Sequence, residues 1–194
     1  MPRINNEKFY SASLKKYGIT PCGLNWSSPN HQSIRFEKIL SLLKKNGCSN
    51  DTLIDAGCGF GDFYHYLQAN SLHVKHYIGI DSLKEMCEIA IQKTACEIIH
   101  ADITKERLPV ADYYICSGAL NILTAFETQL FIRNCFESSK KGFVFNALYG
   151  EKESKTYNYI NIDTINTLAQ SLHVKDVQLQ EAYLEHDITV GFFK

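Results

Sequence analysis

Long apolar runs are missing from this sequence. None reaches the roughly 18 residues that a membrane span needs. The first ten residues, Met1 to Tyr10, are polar where a secretion signal would be apolar. An excess of charge is missing too: 20 basic and 21 acidic side chains leave a formal net charge of −1. That removes the electrostatic footprint of a chain that grips nucleic acid or an anionic membrane. No Cys-x-x-Cys occurs. The seven cysteines are odd in number and several lie in apolar runs, where Cys behaves as a small hydrophobe. A disulfide framework is therefore not expected, and reduced thiols point to the cytoplasm. Internal repeats and low-complexity stretches are absent as well.

What remains is ordinary soluble-protein material, 45% apolar and 21% charged over 194 residues. A chain of this length can bury a core without disulfides or structural metal. A single domain over residues 1–194 is expected. Residues 1–28 read as an irregular, aromatic-bearing lead-in. Ser28-Pro29 is an N-cap followed by Pro at the first helical position. Ile34, Phe36, Ile39, Leu40 and Leu43 then form a helical stripe that Gly47 closes.

From Thr52 strand and helix patterns alternate. Thr52–Ala56, Tyr77–Asp81, Glu97–His100, Tyr113–Cys116 and Gly142–Asn146 read as strands. Helices are expected over 62–70, from a Ser82/Glu85 capping box to about Lys93, from a Thr124/Glu127 capping box through Cys135, and over 163–172. Val174 to Leu184 and His186 to Phe193 read as a tightly joined antiparallel pair. The fold class is therefore α/β: a doubly wound, mostly parallel seven-stranded sheet with a C-terminal antiparallel hairpin.

Four strand ends carry candidate chemistry. Asp55-Ala-Gly57-Cys58-Gly59-Phe-Gly61-Asp62 leaves the first strand and opens a helix, the position where open α/β sheets bind ligands. Asp55 could accept a hydrogen bond from an ammonium group or from loop amides. Asp81 closes the second strand, 20 residues after Gly61, placed to accept from ribose hydroxyls, with Ser82 beside it. Asp102 and Ile103 follow the third strand, an acceptor for an exocyclic amine and a side chain to pack on a ring. Ser117-Gly118 leaves the fourth strand and makes room for a second ligand.

Asp-Ala-Gly-Cys-Gly-Phe-Gly closely resembles motif I of the class I S-adenosylmethionine-dependent methyltransferases, and Asp81, Asp102 and Ser117-Gly118 fall where that family's later motifs belong. The resemblance covers about residues 50 to 150 and implies a Rossmann-like core over 48–194, with 1–47 as an N-terminal lid segment and helix. It implies S-adenosylmethionine as cofactor, with the Gly57–Gly61 loop beside the methionine part, Asp81 on the ribose, and Asp102 with Ile103 on the adenine. The lead-in, with Trp26, Gln32 and Arg35, resembles the prelude of a little-characterised group of small bacterial methyltransferase-like proteins. There it would close over the cofactor, with Arg35 pairing the methionine carboxylate. The plainer alternative leaves Gln32 and Arg35 on the solvent face and Trp26 as packing.

Competing readings are weaker. A dinucleotide fingerprint needs Gly where Asp62 stands, and an acidic helix start repels a pyrophosphate. The Gly-Lys-Ser/Thr of a phosphate loop is absent. Cys22 follows Pro21 but precedes motif I, so an ordinary loop Cys is expected. No metal-ligand cluster is visible, and His65, His100 and His186 are isolated. Asn121, Asn146, Tyr149 and His65 are only weak candidates for a catalytic role, so none is assigned as general base. Small size and near-neutral charge favour a small-molecule acceptor over nucleic acid, and a protein acceptor stays open. The other class left open is a non-catalytic S-adenosylmethionine- or S-adenosylhomocysteine-binding regulator, which transfer of a labelled methyl group would distinguish.

Overall fold

The computed structural model describes residues 5–26 and 28–194. The first four residues of the lead-in and Ser27 lie outside the described residues. The lead-in is not irregular: Asn6–Tyr17 is a helix, α1. Asn5 caps it by accepting from the Lys8 amide, Glu7 sits in its first turn and Lys15 and Lys16 in its last, the polarity that a helix dipole favours. None of its residues is fully buried, which is why no apolar stripe announces it. A short 3-10 turn, Pro21–Leu24, follows. Ser28 then caps α2, Pro29–Lys45, through the His31 amide.

Strands β1 (Thr52–Ala56), β2 (His76–Asp81), β3 (Glu97–His100), β4 (Ala111–Ser117) and β5 (Ser139–Tyr149) are parallel neighbours in the order β3-β2-β1-β4-β5. Helices α3 (Asp62–Ala69), α4 (Lys84–Thr94) and α5 (Ala125–Ser138) fill the connections. A two-residue strand, β6 (Tyr159–Ile160), pairs parallel with the end of β5 and raises the sheet from the expected seven strands to eight. After α6 (Ile162–Ser171), β7 (Asp176–Gln180) and β8 (Asp187–Phe193) form the antiparallel hairpin. Strand β8 inserts between β5 and β7. The hairpin's first strand is shorter than its apolar pattern suggested, because residues 181–186 turn through left-handed backbone at Ala182 and His186.

The sheet buries both faces, as a parallel sheet must. Phe36, Ile39, Leu40 and Leu43 of α2, with Phe63 and Leu67 of α3, pack over Leu53, Tyr113, Ile115 and Val144. On the other face Phe131, Ile132, Cys135 and Phe136 of α5 meet Ile54, Tyr114, Phe143, Phe145 and Phe192. Truncating one of these core side chains to Ala costs about 2–5 kcal/mol. The strands' carboxyl ends therefore stand on a rigid base. The Thr124/Glu127 capping box is present in full. The Ser82/Glu85 box is not. Helix α4 begins two residues after Ser82, with Leu83 as an uncapped N-cap, because Asp81 Oδ1 takes the Leu83 amide and holds the chain in a turn. Among the described residues no helix is long and apolar enough to cross a membrane.

Candidate functional site

One pocket opens at the carboxyl ends of β1, β2 and β4, with an empty volume of about 1270 Å3 counted out to its mouth. It gathers Asp55, Gly57, Cys58, Gly59, Asp81, Ser82, Asp102, Ile103, Ser117, Gly118, Trp26, Gln32 and Arg35. Of the residues expected from the sequence to hold a cofactor, only Gly61 stands outside the lining. Its role is packing between helices: a side chain there would come within 2.5 Å of Thr94 Cγ2 on α4.

Three of the carboxylates that line the pocket, Asp55, Asp81 and Asp102, stand at strand ends in different surroundings. Asp55 is buried, and burial pushes its carboxyl up to about 7 even though the Tyr77 hydroxyl donates to it at 2.5 Å. The partner expected from loop amides is thus a tyrosine on β2. Asp81 is also raised by burial, opposed by the amides of Leu83 and Gly59. Its Oδ2 accepts from Gly59 at 3.0 Å and its Oδ1 from Leu83 at 2.9 Å. Asp81 therefore ties the glycine loop to the second strand as well as facing the pocket. Asp102 is lowered: its partial burial is outweighed by bonds from Lys105 and Thr104. Ile103 beside it is buried. His100 Nε2 lies 3.1 Å from the Ser82 carbonyl.

Helix α3 opens on Asp62, whose carboxylate takes Lys93 Nζ at 2.5 Å and Gln32 Nε2 at 3.1 Å. The helix start already holds an anion, so a phosphate there would meet like charge. Gln32 is thus anchored to Asp62 at the pocket wall.

Arg35 is not on the solvent face, and its fork is not free for a ligand carboxylate. It is buried and engages both oxygens of Asp187, at the start of β8, through Nε at 2.9 Å and through Nη2. A bidentate partner of this kind satisfies the guanidinium. Its Cζ lies 4.9 Å from the centre of the Trp26 ring, within cation–π range. Trp26 in turn covers Gly118. With φ of +88°, Gly118 holds a backbone shape that other residues resist, and an added side chain would approach Trp26 Cζ2 at 3.1 Å. The ion pair, the indole and the β4 turn form one stack.

Sequence reasoning missed the covering helix. Asn6, Phe9 and Tyr10 of α1 line the pocket, and Ser13 on the same face hydrogen-bonds Asn25. The spacing 6, 9, 10, 13 is one helical face, and Asn5 with Glu7 and Lys15-Lys16 was the readable signal. Tyr17, at the end of the same helix, is 46% exposed and outside the lining. Asn121 and Tyr157 also line it, whereas Asn146, Tyr149 and His65 do not. Among the described residues no group of three or more His, Cys, Asp or Glu side chains could hold a metal.

Residues 53–142 match the family described as a methyltransferase domain. No curated protein gave a significant match in sequence. Solved structures give the fold. The chain superposes on a methyltransferase from Leishmania major described as S-adenosylmethionine-dependent, with a TM-score of 0.71 at 16% identity over 100% of this chain and 87% of that one. Magnesium protoporphyrin IX methyltransferase from Synechocystis PCC 6803, solved with S-adenosylmethionine bound, gives a TM-score of 0.67 at 13% identity, covering 100% and 86%. A methyltransferase from Clostridium acetobutylicum, likewise described as S-adenosylmethionine-dependent, gives 0.66 at 11% identity, covering 97% and 99%.

Proposed function

We propose that this chain, whose sheet is that of the class I methyltransferases and whose residues 53–142 match a methyltransferase domain, is an S-adenosylmethionine-dependent methyltransferase with a small-molecule acceptor. The observation that carries the reading is the placement of Asp55, Asp81 and Asp102 around one pocket whose helix start is closed to phosphate by Asp62. Carboxylates suit a ligand rich in hydroxyl and amino donors and free of phosphate. Each carboxylate oxygen can accept more than one bond, so Asp81 can take ribose hydroxyls while keeping the two amides. Asp55 and Ser117 face the amino-acid arm, and Asp102 with Ile103 faces the base. Residues 1–47 serve as cover and first helix, and 48–194 as the core.

The bound sulfonium supplies an activated methyl group. The chain's own residues bind, orient and exclude water. With the cofactor bound, these residues would hold the acceptor nucleophile facing the methyl group. Tyr10, Trp26, Asn121 and Tyr157 border the space left for it. Calorimetry tests the reading. S-adenosylhomocysteine should bind at about micromolar strength, roughly −8 kcal/mol, and nicotinamide dinucleotides should not compete. Tight dinucleotide binding without binding of the thioether nucleoside would overturn it.

A further inference from the structure

A polar row crosses the sheet where an apolar one would pack as well. Ser117 of β4 is paired in register with Asn146 of β5, and Asn146 with Thr189 of β8. Their neighbours along the strands are Cys116, Phe145, Ala147, Ile188 and Val190, all buried and apolar. Asn146 and Thr189 have no exposed surface. A buried amide costs stability unless both its ends are bonded, so a purely structural row has no need of one.

The bonds give the row a direction. Asn146 Nδ2 donates to Thr189 Oγ1 at 2.6 Å and reaches the Arg35 carbonyl at 3.5 Å. That carbonyl can only accept, so the amide nitrogen must lie on that side. The Asn146 oxygen therefore faces β4, and Ser117 Oγ donates to it at 2.8 Å. Thr189 lies 2.8 Å from the Tyr183 hydroxyl, which ends the row. With its only proton committed to Asn146, Ser117 can offer the pocket nothing but lone pairs. Asp55 is paired with Ile115, two residues before Ser117. It thus shares Ser117's face of the sheet and presents a second acceptor.

We propose that Asn146, backed by Thr189 and Tyr183, is a positioning residue that fixes Ser117 Oγ as an obligate hydrogen-bond acceptor toward the pocket, where it takes the protonated amine of the cofactor's amino-acid arm. This rests on the cofactor reading above. Asn146 never touches the ligand. It acts by denying Ser117 the rotamer in which its hydroxyl would point at the amine, donor against donor. The row thereby selects an ammonium-bearing ligand over the same ligand without the amine.

The test is a pair of ligands titrated by calorimetry: S-adenosylhomocysteine and its deamino analogue, which keeps the carboxylate and has hydrogen in place of the amine. Wild-type protein should prefer the amine-bearing ligand by about tenfold or more. Ser117→Ala and Asn146→Leu should each cut that preference several-fold without changing affinity for the deamino analogue. The double variant should be no worse than either single one, since both remove the same bond. Thr189→Val, an isosteric change, should weaken the preference, and Thr189→Ser should retain it. That pair keeps the test open if Asn146→Leu fails to fold. An unchanged preference in Ser117→Ala or Asn146→Leu, or equal loss for both ligands, would overturn the proposal. Failure of the wild type to bind either ligand would overturn the cofactor reading instead.

Discussion

Asp81 ties down the glycine loop and is proposed to hold the ribose, and its removal should separate the two effects. Its carboxylate accepts the amides of Gly59 and Leu83 at 3.0 and 2.9 Å, and in the proposed complex it also accepts from the ribose. Charge-assisted bonds are worth about 1.5–3 kcal/mol each, so Asp81→Ala forfeits roughly 3–6 kcal/mol of gross bonding in the free protein. Burial of the carboxylate, which raises its pKa, opposes those bonds. The net destabilisation should therefore fall below that sum, at about 1–3 kcal/mol, or a melting point lower by roughly 2–4 °C per kcal/mol. Affinity for S-adenosylhomocysteine should fall by a further tenfold or more from the lost ribose bonds. A 2′,3′-dideoxy analogue, which lacks the hydroxyls, divides the two effects. It should bind wild-type protein weakly and lose little more in Asp81→Ala. If the analogue loses as much as the parent ligand, Asp81 acts only by holding the glycine loop. If neither ligand loses affinity, the ribose assignment is refuted.

Three further outcomes follow from the same geometry. Asp55 has a folded-state pKa of about 7 against 3.8 unfolded, so the folded chain binds more protons between those values and stability falls as pH rises through that window; denaturant titrations of Asp55→Asn should show that slope flattened, and ligand affinity in the wild type should rise between pH 6 and 8 as the carboxylate ionises. Arg35→Ala and Asp187→Ala should each destabilise the fold by about 3–5 kcal/mol, because each strands a buried charge; the double variant should cost clearly less than the sum, and full additivity in chemical denaturation would show the pair to be uncoupled. Gly118→Ala should displace Trp26, the one tryptophan of the chain, so its intrinsic fluorescence should shift and ligand quenching weaken; an unaltered spectrum would disprove the stacked arrangement.

The parts of this site that were legible in the sequence are those dictated by local chemistry. Apolar runs marked the strands, Thr124 with Glu127 marked the start of α5, and Asp55, Asp81, Asp102 and Ser117 stood at strand ends where a parallel sheet opens its cleft. What was not legible depends on partners distant along the chain. Arg35 looked free because Asp187 lies 152 residues away. Ser82 and Glu85 spelled a capping box, but Asp81 took the Leu83 amide first. Asn146 read as a weak candidate for chemistry because its partners lie on β4 and β8. Helix α1 escaped because its inner face meets a cleft and not a core, so Asn6, Phe9, Tyr10 and Ser13 form a mixed face with no apolar stripe.

The place of β8 inside the sheet has a consequence for synthesis on the ribosome. Strand β5 carries Phe143, Val144 and Phe145, and its antiparallel partner is supplied by residues 187–193. Until Phe193 has emerged, β5 has one side bonded to β4 and the other bare, an unpaired apolar edge of the kind that recruits foreign strands. The nascent chain can assemble β1 to β4 with their helices, but it cannot close its sheet. Chaperone dependence during translation, and aggregation of chains that stop short of β8, should therefore be set by this late strand.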